Sequence, residues 1–360
     1  MRLKRVAVRA GAASGSTPTE GSGDNAPGRQ RPRAARTSVA VWNGDRWTPL
    51  MAALEIFRQR TGGDFPGVAA VADDLIGLCE QREALQRDID RLLAFVADEA
   101  IDLSASVDPT PIVPFTPRSF RDFMLFERHA IDAARGWARK FRPGAARMVG
   151  LYETLFRRPP NILKPDKIWY EKPIYYMGSH INIYTEGDEL PWPSYTQALD
   201  YELELGAVIC RPIKDAAPEE ALAAIGGFVV VNDLSARDVQ FAEMKSVFGP
   251  VKAKNFANAI GAEVVTADEV LPHVDGLAAT VTVNGDYWGG GDTSGMQHSI
   301  GDMIAYASLG ERLEPGELLS TGTIPGCSGM EVGRWLSPGD EIEFTLEKVG
   351  SLRNRIGSPS

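Results

Sequence analysis

The stretch DYELEL at positions 200–205 decides the fold, together with the apolar run AVIC at 207–210. Alternate side chains of a β-strand share one face, so this pattern predicts a strand with Asp200, Glu202 and Glu204 on the same side. The tyrosine and the leucines between them point to the opposite side. Three carboxylates therefore crowd one face with no Lys or Arg among them.

A second apolar run, GFVVV at 227–231, ends abruptly in Asn232 and Asp233. A carboxylate at the end of a buried strand is costly unless it is paired or bound to a metal. The two segments together supply an oxygen-only ligand set, which is what Mg²⁺, Mn²⁺ or Ca²⁺ prefers. The residues themselves thus predict a divalent-cation site in a β-rich domain.

The composition argues against several partners and locations. Among 360 residues, 38 basic side chains face 48 acidic ones, and the net charge of −10 disfavours a nucleic acid or an anionic membrane as ligand. No apolar run reaches the roughly 20 residues that cross a bilayer. We find no secretory leader and expect a cytoplasmic protein. Three cysteines without close spacing indicate neither a disulfide framework nor a zinc site.

Two domains are expected along the chain. The first, a small N-terminal domain at 1–110, contains two strands within 36–50 and a flexible loop at 11–35 that is rich in Gly, Ser, Pro and Arg. A cluster of prolines forces extended backbone and marks its end. The catalytic domain at 111–360 is predicted to open with a helix over 119–140 and to continue in short strands.

Six short motifs follow one another along the second domain. They are YELE at 201–204, NDLSARDVQ at 232–240, GP at 249–250 with Lys254, STGT at 320–323, SPGD at 337–340 and LRNR at 352–355. In this order they resemble the fumarylacetoacetate hydrolase family, over about residues 110–357. A single E-x-E pair would be weak evidence, whereas the second motif alone is highly specific.

The resemblance implies a mostly β fold with α additions. A mixed β-sandwich or roll would form the catalytic domain, and a small α+β domain would precede it. The family acts on 2-oxo and 1,3-dicarbonyl compounds bound to Mg²⁺, with Mn²⁺ or Ca²⁺ as alternatives. The resemblance therefore also implies a small-molecule substrate, and it implies a homodimer.

Longer members of the family add an Asp ligand and, seven residues after it, a catalytic His, a spacing that Asp122 and His129 match. The resemblance implies that the metal ligands are Asp122, Glu202, Glu204 and Asp233. It makes His129 the general base and Glu331 the residue that orients it. Because four carboxylates would lie so close, Glu202→Gln is expected to relieve repulsion in the metal-free protein.

Further residues are implied to face the substrate. Arg237, Gln240 and Lys254 match catalytic positions that face the reacting oxygens. Tyr176 and Thr323 match substrate contacts. The chemistry at the metal is therefore expected to be intact.

Two departures from the family concern specificity. Met124 and Met244 stand where fumarylacetoacetate hydrolases carry tyrosines near the carboxylate of the substrate. Methionine offers flexible apolar surface and no hydrogen-bond donor. We therefore predict that both methionines line the substrate pocket, and that the distal part of the substrate is uncharged and apolar.

These assignments predict a divalent-metal-dependent hydrolase that cleaves a C–C bond of a 1,3-dicarbonyl compound, fumarylacetoacetate- or acylpyruvate-like. The water would be activated by His129 and Glu331. One alternative is a lyase or isomerase of the same family, such as a 2-oxo acid decarboxylase or hydratase. The other alternative is a non-catalytic biosynthetic accessory protein, which would require a broken ligand set.

Overall fold

In the computed structural model, the described residues 1–9 and 36–359 form two compact units. One unit is Leu3–Ile112, and the other is Val113–Ser360 together with Met1–Arg2. The flexible loop predicted at 11–35 lies outside the described residues. Within the described part of the chain, no helix combines the length and the apolar character that crossing a membrane requires.

The unit Leu3–Ile112 contains a small antiparallel sheet and helices. Its strands are β1 (Arg2–Val8), β2 (Thr37–Trp42), β3 (Trp47–Pro49) and β4 (Val107–Asp108), and its helices are α1 (Leu50–Thr61), α2 (Pro66–Ala70) and α3 (Leu75–Asp98). The strands predicted within 36–50 are confirmed as β2 and β3. The side chain of Asn43 closes their turn, because its Oδ1 accepts the backbone N–H groups of Asp45 and Arg46.

The larger unit begins with a strand and three helices and then becomes rich in strands. Its strands are β5 (Phe120–Phe123), β6 (Tyr175–Gly178), β7 (Ile183–Thr185), β8 (Glu189–Trp192), β9 (Leu199–Asp200), β10 (Glu202–Ile209), β11 (Ile213–Lys214), β12 (Ile225–Asp233), β13 (Ser235–Ala236), β14 (Asn258–Ile260), β15 (Glu263–Thr266), β16 (Ala278–Val283), β17 (Asp286–Asp292), β18 (Arg312–Leu313), β19 (Leu318–Ser328), β20 (Glu341–Leu346) and β21 (Gly350–Pro359). Its helices are α4 (Glu127–Phe141), α5 (Pro143–Phe156), α6 (Lys167–Glu171), α7 (Pro218–Leu222), α8 (Arg237–Lys245), α9 (Ala267–Val270), α10 (Ile300–Ser308) and α11 (Gly329–Val332).

Two sheets of the larger unit share one hydrophobic core. In the first, β10 lies between β12 and β19 and is antiparallel to both, and β19 continues in parallel to β5. The second has the strand order β17-β16-β20-β21-β8. Leu203 and Phe228 of the first sheet belong to the same core as Val281 and Phe344 of the second. Because β10 and β12 are buried along their whole length, the polar groups that they carry must find partners inside the protein.

The prediction of a helix over 119–140 is wrong for the first part of that segment. Phe120–Phe123 forms strand β5, and helix α4 begins only at Glu127. All four residues of β5 are buried between β19 and β6, and periodicity cannot distinguish a buried strand from a buried helix over so short a segment. Asp122 therefore lies on a strand of the large sheet.

Candidate metal and catalytic site

Strands bring several carboxylates to one edge of the large sheet. β10 begins at Glu202 and carries Glu204, whereas antiparallel β12 ends at Asp233, so these residues lie at the same end of the pair. β5 places Asp122 opposite Ser320 of β19. Residues from three separate strands therefore converge where the sequence predicts a metal site.

Asp122, Glu204 and Asp233 form a cluster that we call the acidic triad. Each offers one oxygen, and these oxygens lie within 4.8 Å of one another. All three side chains are buried, and Oδ1 of Asp122 has no hydrogen-bond partner among the described residues. Burial raises the pKa of all three carboxyl groups, and carboxylate neighbours raise the pKa of Asp122 and Glu204 further. A divalent cation would compensate this repulsion, so the triad could hold one.

Glu202 lies beside the triad and is paired with cations. Its Oε1 accepts a hydrogen bond from Nη2 of Arg237 at 2.6 Å, and Nζ of Lys254 contacts both its Oε2 and Oδ2 of Asp233. Burial alone would raise the pKa of Glu202, but Arg237 and Lys254 outweigh burial and hold the pKa well below its usual range. The role of Glu202 as a fourth metal ligand stays a prediction.

The structure brings the predicted base and its orienting residue together. Nδ1 of His129, in the first turn of α4, lies 3.1 Å from Oε2 of Glu331, although the two groups are not aligned as a hydrogen bond. The other ring nitrogen, Nε2, lies 3.5 Å from Oε1 of Glu202. Burial would lower the pKa of His129, but Glu331 and Glu202 outweigh burial and raise the pKa. The imidazole is therefore a stronger base than an isolated histidine.

The start of α11 holds Glu331 in place. Oγ of Ser328 donates to Oε2 of Glu331 at 2.9 Å, and the backbone N–H of Gly326 donates to Oε1 at 3.2 Å. Helix α4 approaches this turn closely, because a Cβ at Gly136 would lie 1.9 Å from the carbonyl oxygen of Met330. The helix that carries His129 therefore packs directly against the turn that carries Glu331.

Three more of the predicted residues reach the site. Oε1 of Gln240 accepts a hydrogen bond from Nη1 of Arg237 at 2.9 Å. The hydroxyl of Tyr176 donates to Oδ2 of Asp233 at 2.9 Å, so Tyr176 touches a predicted metal ligand. Thr323 is buried on β19, where it is the register partner of Glu204 on β10. Their roles toward a substrate stay predictions.

The two methionines differ in their surroundings. Met124 directly follows β5 and is partly buried, and its backbone carbonyl accepts the indole N–H of Trp169. Met244 lies near the end of α8 and is 53% exposed. Their predicted contact with the substrate stays a prediction.

Sequence reasoning missed the roles of three polar residues that hold the site. The hydroxyl of Ser320 donates to Glu204, and Oδ2 of Asp200 accepts a hydrogen bond from Nε of Arg237 at 2.8 Å. The third is Ser328, the N-cap of α11. The capping pattern S-x-x-E at 328–331 could have identified it, whereas no local pattern indicates which residue Asp200 contacts.

The family model described as fumarylacetoacetate (FAA) hydrolase C-terminal matches residues 155–357, more than half of the chain. The protein therefore belongs to the fumarylacetoacetate hydrolase family, and the family predicted from the motifs is confirmed. The chain is similar to a solved structure of fumarylacetoacetate hydrolase from psychrophilic Exiguobacterium antarcticum. The alignment covers 99% of this chain and 99% of that chain, with a TM-score of 0.60 and 18% sequence identity. This similarity concerns the fold alone, and it confirms the predicted fold class of the catalytic domain.

Two curated relatives illustrate the chemistry of the family. Oxaloacetate tautomerase YisK of Bacillus subtilis is 31% identical over 189 residues, which are 52% of this chain and 62% of the relative. The 2,4-didehydro-3-deoxy-L-rhamnonate hydrolase of a Sphingomonas species is 31% identical over 187 residues, 51% of this chain and 65% of the relative. This chain spans less than two thirds of the length of these relatives. The family is enzymatic, and its members include hydrolases, isomerases and tautomerases.

Proposed function

We propose that this protein is a divalent-metal-dependent hydrolase that cleaves a C–C bond of a 1,3-dicarbonyl compound, fumarylacetoacetate- or acylpyruvate-like. One observation supports this proposal most directly: the buried pair of His129 and Glu331 lies beside Glu202, next to the acidic triad. Hydrolysis needs a base that activates water near the electrophilic carbonyl, and a histidine oriented by a carboxylate is suited to that task.

In this proposal the acidic triad, completed by Glu202, holds Mg²⁺, with Mn²⁺ or Ca²⁺ as alternatives. Oxygen ligands suit all three ions. When bound, the cation polarises the carbonyl oxygens of the substrate and stabilises the negative charge that develops on them. Ser320 fixes one oxygen of Glu204, so that ligand is already oriented by the protein.

Arg237, Gln240 and Lys254 supply donors at the place where charge develops. The guanidinium of Arg237 is already held by Glu202, and Lys254 is already held by Glu202 and Asp233. Donors that are fixed before the reaction need no reorganisation during it, which makes their electrostatic stabilisation effective.

The proposed reaction begins when His129 accepts a proton from water, and the hydroxide attacks one carbonyl carbon. The bond between that carbon and the central carbon then breaks, and its electron pair goes to the central carbon. His129 returns the proton to that carbon, while Glu331 keeps the imidazole oriented. A carboxylic acid and a ketone leave, so one water molecule accounts for all atoms added.

A second candidate is tautomerisation or isomerisation of a 2-oxo acid. The observation that favours it is the similarity to a relative named as an oxaloacetate tautomerase. Such a reaction moves a proton between carbon and oxygen and needs no attacking water. A decarboxylase of the same family would likewise need no activated water.

The experiment follows both reactions in the wild-type protein with Mg²⁺, Mn²⁺ and Ca²⁺ in turn. Loss of the enol absorbance of acylpyruvates, with the acid and the ketone identified by chromatography, measures hydrolysis. Conversion of enol oxaloacetate to the keto form without new products measures tautomerisation. Tautomerisation without cleavage of any acylpyruvate would contradict the hydrolase proposal.

Variants then identify the base. His129→Ala and Glu331→Gln should each lower the rate of hydrolysis about 10²- to 10⁴-fold, because each removes part of the general base. The matched control is His273→Ala, since His273 is exposed and lies in a separate turn. A decarboxylase would keep most of its turnover in the His129→Ala variant, because it needs no activated water.

We further propose a homodimer in the cytoplasm, as the family resemblance implies. Light scattering coupled to size-exclusion chromatography should give twice the mass of the chain. A monomer at micromolar concentration would contradict this proposal.

A further inference from the structure

Asp200 is a fully buried carboxylate for which the proposed reaction has no role. It ends β9, directly before the strand that carries Glu202 and Glu204. Its Oδ2 accepts two hydrogen bonds, from Nε of Arg237 at 2.8 Å and from the backbone N–H of Met330 at 3.1 Å. One oxygen therefore joins two segments that are far apart in the chain.

The two donors belong to different parts of the site. Arg237 opens α8, and its Nη2 holds Oε1 of Glu202 at 2.6 Å. Met330 directly precedes Glu331, which faces the imidazole of His129. Asp200 thus connects the guanidinium that holds a predicted metal ligand with the helical turn that carries the partner of the predicted base.

The packing around Asp200 leaves little room for movement. A Cβ at Gly329 would lie 2.4 Å from Oδ1 of Asp200 and 2.4 Å from the carbonyl oxygen of Arg334. The backbone is fixed as well, because Asp200 pairs with Ser235 where β9 meets β13. The carboxylate is therefore held on one side by a strand and on the other side by the first turn of α11.

We propose that Asp200 is a positioning residue that fixes Arg237 and the first turn of α11 relative to each other. It thereby sets the distance between Glu202 and the pair of His129 and Glu331. This inference rests on the proposed function, since it assumes that Arg237 and His129 act on the same substrate. Asp200 acts through its two donors and not on the reacting atoms.

The charge of Asp200 matters as well as its shape. The guanidinium of Arg237 lies between two carboxylates, with Asp200 on Nε and Glu202 on Nη2. Charged hydrogen bonds of this kind are stronger and more directional than neutral ones. An amide at position 200 keeps the shape and loses the charge, so Arg237 is drawn toward Glu202 alone. A displacement of about 1 Å at a reacting group costs on the order of 10²-fold in rate.

The experiment compares Asp200→Asn with Asp238→Asn. Asp238 is the control because it directly follows Arg237 on α8, while its carboxylate accepts hydrogen bonds from Thr196 and Gln197 and contacts neither Arg237 nor Met330 in the hydrogen bonds of the described residues. Asp200→Asn should lower kcat about 10- to 100-fold and change KM less than about threefold, since only placement in the transition state is lost. The control should keep the kcat of the wild type.

Metal binding and coupling separate positioning from a general structural defect. Equilibrium dialysis with Mn²⁺ should give the wild-type affinity for Asp200→Asn, because Asp200 is outside the acidic triad. When Asp200→Asn is added to the Glu331→Gln variant, kcat should fall by less than about threefold below that of Glu331→Gln alone. The reason is that the effects of residues that act as a unit on the rate do not add. Losses that multiply, or an unchanged kcat in the single variant, would overturn the inference.

Amide hydrogen exchange tests the contact without any reaction. Asp200→Asn should exchange faster than the wild type in a peptide spanning 328–333, and Asp238→Asn should not. Unchanged exchange would overturn the role of Asp200 even in an active hydrolase. A wild-type protein that hydrolyses no acylpyruvate overturns the proposed function instead, and the exchange result then still decides whether Asp200 holds the turn.

Discussion

Glu202 and Glu204 are two residues apart on the same strand and are only 4% and 1% exposed, yet the pKa values of their carboxyl groups shift in opposite directions. Burial would raise both. For Glu202, Arg237 and Lys254 outweigh burial and hold the pKa well below its usual range. For Glu204, repulsion from Asp233 adds to burial and holds the pKa well above its usual range. Because residue type, strand and burial are shared, the neighbours decide the direction.

The site is therefore divided into two regions. The paired region consists of Glu202, Arg237, Lys254 and Asp200, whose opposite charges balance one another. In the acidic triad, Lys254 contacts Asp233 while Oδ1 of Asp122 is left without a partner among the described residues. The paired region can keep its geometry without a cation, whereas a cation bound by the triad would lower its repulsion.

The largest expected effect is on stability in the paired region. Glu202→Gln leaves Arg237 and Lys254 without a shared partner, and breaking a buried ion pair costs about 3–5 kcal/mol. Glu204→Gln removes one repulsive charge, so the free energy of unfolding of the metal-free protein should stay equal or rise. Urea unfolding of both variants in chelator measures this difference. Equal destabilisation by the two substitutions would show that the regions do not differ.

The next effect concerns metal binding by the triad. Glu204→Gln should weaken Mn²⁺ binding by more than about 100-fold, because the loss of an outer partner alone costs about 10- to 100-fold. Ser320→Ala should weaken Mn²⁺ binding less than Glu204→Gln does, since it removes only the hydroxyl that donates to Glu204. Isothermal titration calorimetry measures both affinities. Wild-type affinity in Glu204→Gln would exclude the triad as the metal site.

A third substitution should change the rate and leave the triad intact. Gly136→Ala places a Cβ 1.9 Å from the carbonyl oxygen of Met330, so α4 must move away from α11. We expect kcat to fall about 10- to 100-fold with unchanged Mn²⁺ affinity, because only the base and Glu331 separate. Gly144→Ala is the control, since no described atom lies within 4 Å of its Cβ position. Weaker Mn²⁺ binding in Gly136→Ala would mean that the acidic triad depends on the placement of His129 and Glu331.

The smallest effect is expected outside both regions. Met124→Tyr combined with Met244→Tyr adds two hydroxyl donors to the predicted pocket. We expect kcat/KM for a substrate with a terminal carboxylate to rise about two- to tenfold relative to its methyl analogue, because one net hydrogen bond contributes a factor of about that size. The wild type should prefer the methyl analogue. Kinetics on the matched substrates measure the preference. No change in preference would show that the two methionines do not set specificity.

The sequence predicted the residues of the acidic triad better than their surroundings. Strand alternation and an apolar run that ends in Asp233 indicated where carboxylates converge. The partners of Glu202 were not predictable from local pattern, because Arg237 and Lys254 lie 35 and 52 positions further along the chain. The expectation that Glu202→Gln relieves repulsion is reversed for that reason.

The secondary structure around Asp122 was also misjudged for a physical reason. Apolar residues on both sides of it fit a helix as well as a buried strand, and only pairing with β19 and β6 decides between them. The contacts of Asp200 could not be predicted from local pattern either, since its partners come from α8 and from the turn at Met330. Local pattern identified Glu204 and Asp233, and the family resemblance identified Asp122, whereas long-range packing determined which charges each of them faces.

A cation held by the acidic triad would also connect the lifetime of the chain with the supply of metal. A cation that binds only the folded protein stabilises it by about 2.7 kcal/mol when its free concentration is a hundred times the Kd. When the cation is scarce, this stabilisation is lost and the repulsion among the buried carboxylates remains. The chain would then open more often, and proteases degrade opened chains first. The amount of this protein in a cell would therefore follow the concentration of free divalent metal.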